Sequence, residues 1–209
     1  MNEYLKISDI IINQDIKTPS NFEIKFSSND TSRCLLRSLI NTKIIKNCTL
    51  LENENRIIMK ANSIKIYSEL TKRELNYSFL LKMIYYLSRQ LEYLIKKESK
   101  SFYTYEPNKI IVLDDNNFIY LGEEHLKDIK NNNLNIFSPI DRKLKYISPE
   151  LTNIRTLPII INYKTIFYSL GLIILNSISS LEEIKETKLY YFLKRCLNKN
   201  PNDRYLIYI

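Results

Sequence analysis

The stretch "KLYYFLKRCLNKNPNDR" (residues 188–204) joins an amphipathic helix to a loop that holds one proline, Pro201, and one arginine, Arg204. An arginine in such a loop needs either a carboxylate partner or open water. Which of the two it has depends on the rest of the sequence.

With 209 residues, 44% of them hydrophobic, the chain has enough apolar mass for one generous domain or two small lobes. Its amino terminus, "MNEYLKISDIIINQD", mixes charges with apolar residues and lacks a small-residue cleavage site, so no secretory signal is expected. The longest apolar run, "TIFYSLGLIIL", is about half the roughly 20 residues that a membrane span requires. These features predict a soluble, intracellular protein without a membrane partner. Cys34, Cys48 and Cys196 are odd in number and scattered, which fits reduced buried thiols rather than a disulfide framework or a paired zinc site. His125 is the sole histidine, so multi-histidine metal sites are unavailable unless another residue type substitutes. Two glycines, Gly122 and Gly171, leave nothing from which to build a glycine-rich phosphate loop. A net charge of +8 would suit nucleic acid or an anionic surface. The lysines are nonetheless spread among Asn, Ile and Tyr, the mixture that AT-rich codons produce.

Along the chain the hydrophobic period changes. "DIIINQDI" and "FEIKF" predict strands, and "CTLLENENRIIMKA" predicts two more around the polar turn "ENEN". Between them "DTSRCLLRSLINTKII" predicts one helix, capped by Asp30 or Thr31, with Cys34, Leu35 and Leu39 on its apolar face. Leu75, Phe79, Leu80, Met83, Ile84, Leu87, Leu91 and Leu94 then form a single stripe, the mark of a long helix. "KIIVL" and "FIYL" flank "DDNN" as a hairpin. The segment from Gly122 to Leu151, punctuated by Asn and Pro, predicts a long irregular loop, a feature that is usually functional. "YKTIFYSLGLIILNSI" is apolar on nearly every side and predicts a buried central helix.

This succession, with "SPE" (148–150), "YSLG" (168–171) and "CLNKNPNDR" (196–204), resembles the eukaryotic protein kinase fold, in particular the short divergent kinase-like proteins of large DNA viruses. The resemblance runs from about Phe22 to Arg204. "SPE" matches the family's A-P-E, "YSLG" its W-S-L-G, and "CLNKNPNDR" its C-L-x-x-D-P-x-x-R. In that family the A-P-E glutamate and the late arginine form a buried pair that pins the activation segment. The resemblance therefore implies a bidentate pair between Glu150 and Arg204, with Pro149 and Gly171 as structural positions.

The catalytic positions match poorly. Kinases need a strand lysine paired to a helix glutamate, a catalytic aspartate, and an asparagine and an aspartate on magnesium. "FEIK" offers Lys25 as the phosphate lysine, but the helix glutamate falls on Ser32, beside Arg33. "FYTYEPNK" puts Thr104 where the base aspartate belongs and Lys109, or Asn108 after a one-residue shift, at the metal-binding asparagine. A threonine hydroxyl accepts no proton near neutral pH, and an ammonium opposes magnesium. The D-F-G aspartate falls on Gly122, or with a shift on Glu123, which could ligate a metal. The aspartate expected at the start of the central helix is Ile166.

The resemblance thus implies an α+β, bilobal kinase-like fold in one domain over 1–209, with a reduced strand-rich N-lobe (about 1–68) and a shortened helical C-lobe (69–209). It further implies a pseudokinase, a protein-binding scaffold in the cytoplasm, or the host cytoplasm if the chain is viral, with no catalytic residue and no resident cofactor. One alternative is an atypical active Ser/Thr kinase binding ATP through Lys25 and Mg2+ through Glu123. Another is a basic module whose lysines and sixteen tyrosines bind nucleic acid.

Overall fold

The computed structural model describes residues 1–141, 143–178 and 180–206. Five strands form the first sheet: β1 (Asn2–Ile7), β2 (Ile10–Gln14), β3 (Asn21–Lys25), β4 (Cys48–Leu51) and β5 (Arg56–Lys60). Their order is β1-β2-β3-β5-β4, antiparallel throughout. The register pairs Ile12 with Ile24 and Ile24 with Ile57, so one face stacks buried isoleucines into the core. The other face carries Ile11, Lys25 and Arg56 side by side. The polar turn "ENEN" lies between β4 and β5 as expected, whereas β1 was not anticipated. Most of β1 is exposed, so its sequence shows little hydrophobic alternation.

Helix α1 (Asp30–Asn41) connects β3 to β4 and buries Cys34, Leu35 and Leu39 in the same core. Its cap is Asn29 rather than Asp30 or Thr31, because the Asn29 side chain accepts the Ser32 N–H at 2.7 Å. After β6 (Ile64–Ile66) comes α2 (Tyr77–Glu98), capped by Asn76 and ended by Ser99 in the left-handed conformation. The predicted stripe from Phe79 to Leu94 is buried, and Leu75 packs against the core from just before the helix.

Strands β8 (Ile110–Leu113) and β9 (Asn117–Tyr120) form the expected hairpin, with Asp114 and Asp115 at positive φ in its turn. β6 pairs with β8 and not with the first sheet.

The segment after Gly122 is more ordered than its sequence suggested. β10 (Leu126–Lys130) and β11 (Asn133–Ile136) form a second hairpin, extended on one side by β7 (Lys100–Phe102) and on the other by β12 (Ile159–Asn162). Asn131 and Asn132 both take positive φ, the pattern of a two-residue primed turn. What reads as loop punctuation is therefore hairpin chemistry.

Three further helices complete the chain: α3 (Pro149–Thr152), α4 (Thr165–Ser177) and α5 (Lys188–Cys196). α4 is buried along most of its length, including Ile166. A Cβ on Gly171 would come within 3.0 Å of Cys196 Cβ and of a Leu197 methyl, so glycine lets α4 and α5 cross closely. With every sheet pairing antiparallel and the helices outside the sheets, the chain is of the α+β class. No helix among the described residues is long and apolar enough to cross a membrane.

Candidate functional site

Arg204 is fully buried, and it does have its partner. Nη1 donates to Glu150 Oε1 at 2.6 Å and Nη2 to Oε2 at 3.0 Å, a bidentate fork. The carbonyls of Asn198 (2.8 Å, from Nε) and Lys199 (3.1 Å) accept the other donors, and Tyr168 lies beneath the guanidinium at 4.9 Å. Pro149 opens α3 at its first turn and so presents Glu150 to the arginine. The pair joins residues 54 positions apart and ties the segment after β11 to the loop after α5.

A second charged group collects where the turn after Tyr105 meets the turn after β9. Lys109 Nζ lies 2.8 Å from Glu106 Oε1 and also bridges to Glu124 Oε1. His125 is 3% exposed, with Nε2 3.0 Å from Glu106 Oε1 and Nδ1 2.6 Å from the Tyr120 hydroxyl. The geometry fixes the tautomer: a bare Nε2 facing a carboxylate would be repelled, so Nε2–H donates to Glu106 and Tyr120 donates to Nδ1. The Tyr120 hydroxyl in turn accepts the Glu106 N–H at 3.2 Å. From the β1–β2 turn, Ser8 Oγ reaches both Glu124 oxygens at 3.1 Å. Gly122 makes room for this arrangement, since a Cβ there would sit 2.6 Å from Tyr120 Cζ.

The electrostatics agree with closed pairing. The His125 hydrogen bond, with Lys109 beside it, holds the Glu106 carboxyl down at about 2. Burial lowers the His125 pKa, which keeps the ring neutral. Glu106, Glu124 and His125 offer three ligand atoms within 4.8 Å of one another, a spacing that could hold a cation. The Lys109 ammonium already pairs with two of those ligands. These residues do not fit magnesium, which demands mostly oxygen ligands and no competing ammonium.

The predicted catalytic positions are dispersed or put to structural use. Lys25 is exposed on the outer face of the first sheet, opposite the core face that carries Ile24. Among the described residues, Glu123 pairs with Ser32 and not with Lys25. Glu123 is 6% exposed and accepts a hydrogen bond from Ser32 Oγ, linking the first turn of α1 to the end of the β8–β9 hairpin. Thr104 is buried and donates to the Tyr146 carbonyl at 3.0 Å. Asn108 lies in the turn between Glu106 and Lys109. Lys109 is the one predicted position that joins a cluster.

Sequence reasoning missed Ser8, Glu106, Tyr120, Glu124 and Ser169. Ser169 Oγ, on buried α4, accepts the Tyr105 N–H at 2.8 Å and so ties the loop after Phe102 to that helix. The three-residue spacing of Glu106 and Lys109 is the signal that could have revealed part of the cluster.

A groove of about 590 Å3 opens among Pro139, Ile140, Leu144, Ile147, Leu151 and Ile154, with Lys145 and Arg155 on its rim. Near it, at the paired ends of β11 and β12, Phe137 and Ile160 are 74% and 67% exposed. Large apolar groups so exposed are the usual material of a contact surface.

No protein-family model matches the chain. Nor does any curated protein match it.

Proposed function

We propose that the chain is a kinase-like, bilobal scaffold whose phosphoryl-transfer centre has been replaced by an ionic cluster closed around an ammonium, a pseudokinase that works by binding another protein. Support for the fold half comes from the succession of elements: a five-stranded sheet with one helix, a long helix, a hairpin, a segment ending at Pro149–Glu150, a buried helix carrying Gly171, and Arg204 paired with Glu150. The observation that carries the functional half is the position of Lys109. Where the resemblance calls for magnesium, an ammonium is clamped between Glu106 and Glu124. Ser8 holds the β1–β2 turn against the same group, and Lys25 stands exposed on the sheet face opposite buried Ile24. The binding surface in this reading is the groove at Ile140–Leu151 with exposed Phe137 and Ile160 beside it.

A thermal-shift titration with ATP and either magnesium or manganese tests this reading, because a ligand that binds only the folded state must raise Tm. The expected result is no shift, and no transfer of labelled phosphate to generic protein substrates. Transfer that Lys25→Ala abolishes would establish an active kinase instead.

A further inference from the structure

Strands β1 and β12 both end their sheets, but of the two only β1 is blunted. β1 carries Glu3 and Lys6 and a register irregularity between Glu3 and Leu5, devices that discourage pairing with another chain. β12 reads Ile-Ile-Ile-Asn, with no charge, proline or bulge in its span. Hydrogen bonds in an antiparallel ladder join opposite residues and alternate along the strand. Because the Tyr163 N–H donates to the Asn132 carbonyl at 3.1 Å, the bonded pairs within β12 are Ile161–Leu134 and Ile159–Ile136. The N–H and C=O of Ile160 therefore point away from β11, and no backbone group among the described residues meets them there. We infer that this edge pairs with the same edge of a second copy of the chain, antiparallel, with Ile160 opposite Ile160.

Three observations carry the inference. The edge is self-complementary in hydrogen bonding: each Ile160 donates to and accepts from the other, and the Asn162 N–H of each copy faces the Pro158 carbonyl of its mate. Pro158 has no N–H to leave stranded. The side chains fit as well. Ile159 and Ile161 pack on the core side, whereas Ile160 stands outward across from Asn135, with Phe137 two residues further on. The pairing sets Ile160 against Ile160 and takes apolar surface out of water. Charge decides for a second copy. β11 and β12 carry no charged side chain, so a chain of net charge +8 can meet its own copy along them without opposing like charges. The next cation along the chain, Lys164, is turned to the Asn202 carbonyl at 3.0 Å and the Tyr205 ring at 4.6 Å. The inference rests on the scaffold reading only in treating Phe137 and Ile160 as contact groups, and it names what covers them.

Sedimentation velocity of the full chain over a wide concentration range tests the inference. A monomer–dimer equilibrium in the micromolar range is expected, since a short edge makes a small interface. Ile160→Lys sets two ammonium groups opposite each other and should weaken the dimer about tenfold or more. Ile160→Pro removes the outward N–H without touching a bond to β11 and should weaken it about tenfold. Ile16→Lys, at a site 66% exposed against 67% for Ile160, should leave the dimer intact. The register supplies a second readout. Opposite residues of a bonded pair have Cα atoms about 5.5 Å apart, within reach of a disulfide. Ile160→Cys should therefore cross-link to a covalent dimer under mild oxidation, and Ile16→Cys should not. A monomer at every concentration, a dimer that survives Ile160→Lys, or equal cross-linking of the two cysteine variants would each overturn the inference. None of these outcomes touches the ATP titration that tests the scaffold reading. Circular dichroism of each variant separates lost pairing from lost folding.

Discussion

Glu150–Arg204 and Glu106–Lys109–Glu124 are both ion-paired groups, yet they are built to opposite ends. The first is a single fork whose arginine donors also satisfy two backbone carbonyls, and its cation is fully shielded from water. The second is a short-range mesh of carboxylates, an ammonium, a neutral imidazole and two hydroxyls, open on the Glu124 side. The fork spends charge on holding two distant segments together. The mesh holds its ammonium between two carboxylates, so a cation would have to compete with Lys109 for the same oxygens.

The sharpest way to break this contrast is to cut each group and compare. Glu150→Ala or Arg204→Ala should destabilise the fold by about 3–5 kcal/mol, since either leaves a shielded charge without its partner. Urea melts read this as a lower midpoint with little change in slope. A loss below about 1 kcal/mol would show that the fork is ornamental.

Lys109→Ala should cost less, about 2 kcal/mol at neutral pH, because Glu124 retains contact with water. Its pH dependence sharpens the comparison. Glu106 has a depressed carboxyl in the folded state, so its contribution is complete above the usual carboxylate range and is lost as pH falls towards about 2. The gap between wild type and Lys109→Ala should therefore narrow over that interval. His125 acts in the same direction: its folded pKa is lowered, so the unfolded chain takes up a proton first and stability declines as pH drops below the usual histidine value of 6.5. Melts between neutral and acid pH check both, and a gap that widens on acidification would refute the pairing. The smallest effect belongs to Lys25→Ala, which should stay within about 0.5 kcal/mol because the side chain stands exposed on the outer sheet face.

What could be read from sequence follows from range and periodicity. The α2 stripe was legible because eight apolar positions repeat at helical spacing, and "ENEN" because a polar turn separates two apolar runs. Glu150 and Arg204 were legible only as a pair, through their flanking signatures. The β10–β11 hairpin was hidden because Asn131–Asn132 looks like loop composition until both φ angles are known to be positive. Strand β12 was hidden for another reason: three consecutive isoleucines have no period at all. Lys25 shows the limit of alternation, which tells that Lys25 and Glu23 share a face but not which face meets the core. Ser8, Glu124 and Tyr120 come from three turns or strands that only tertiary contact brings together, so no local spacing announces them.

Gly171 carries a consequence at a distance. Because it has no side chain, the Cys196 and Leu197 side chains seat directly against the α4 backbone, and the spacing that a methyl would impose is removed. Tyr168 lies on the same helix one turn earlier, under the guanidinium, so the crossing sets the berth into which Arg204 must arrive. A hydrogen atom in one helix thereby aims a charge in the loop that follows the next.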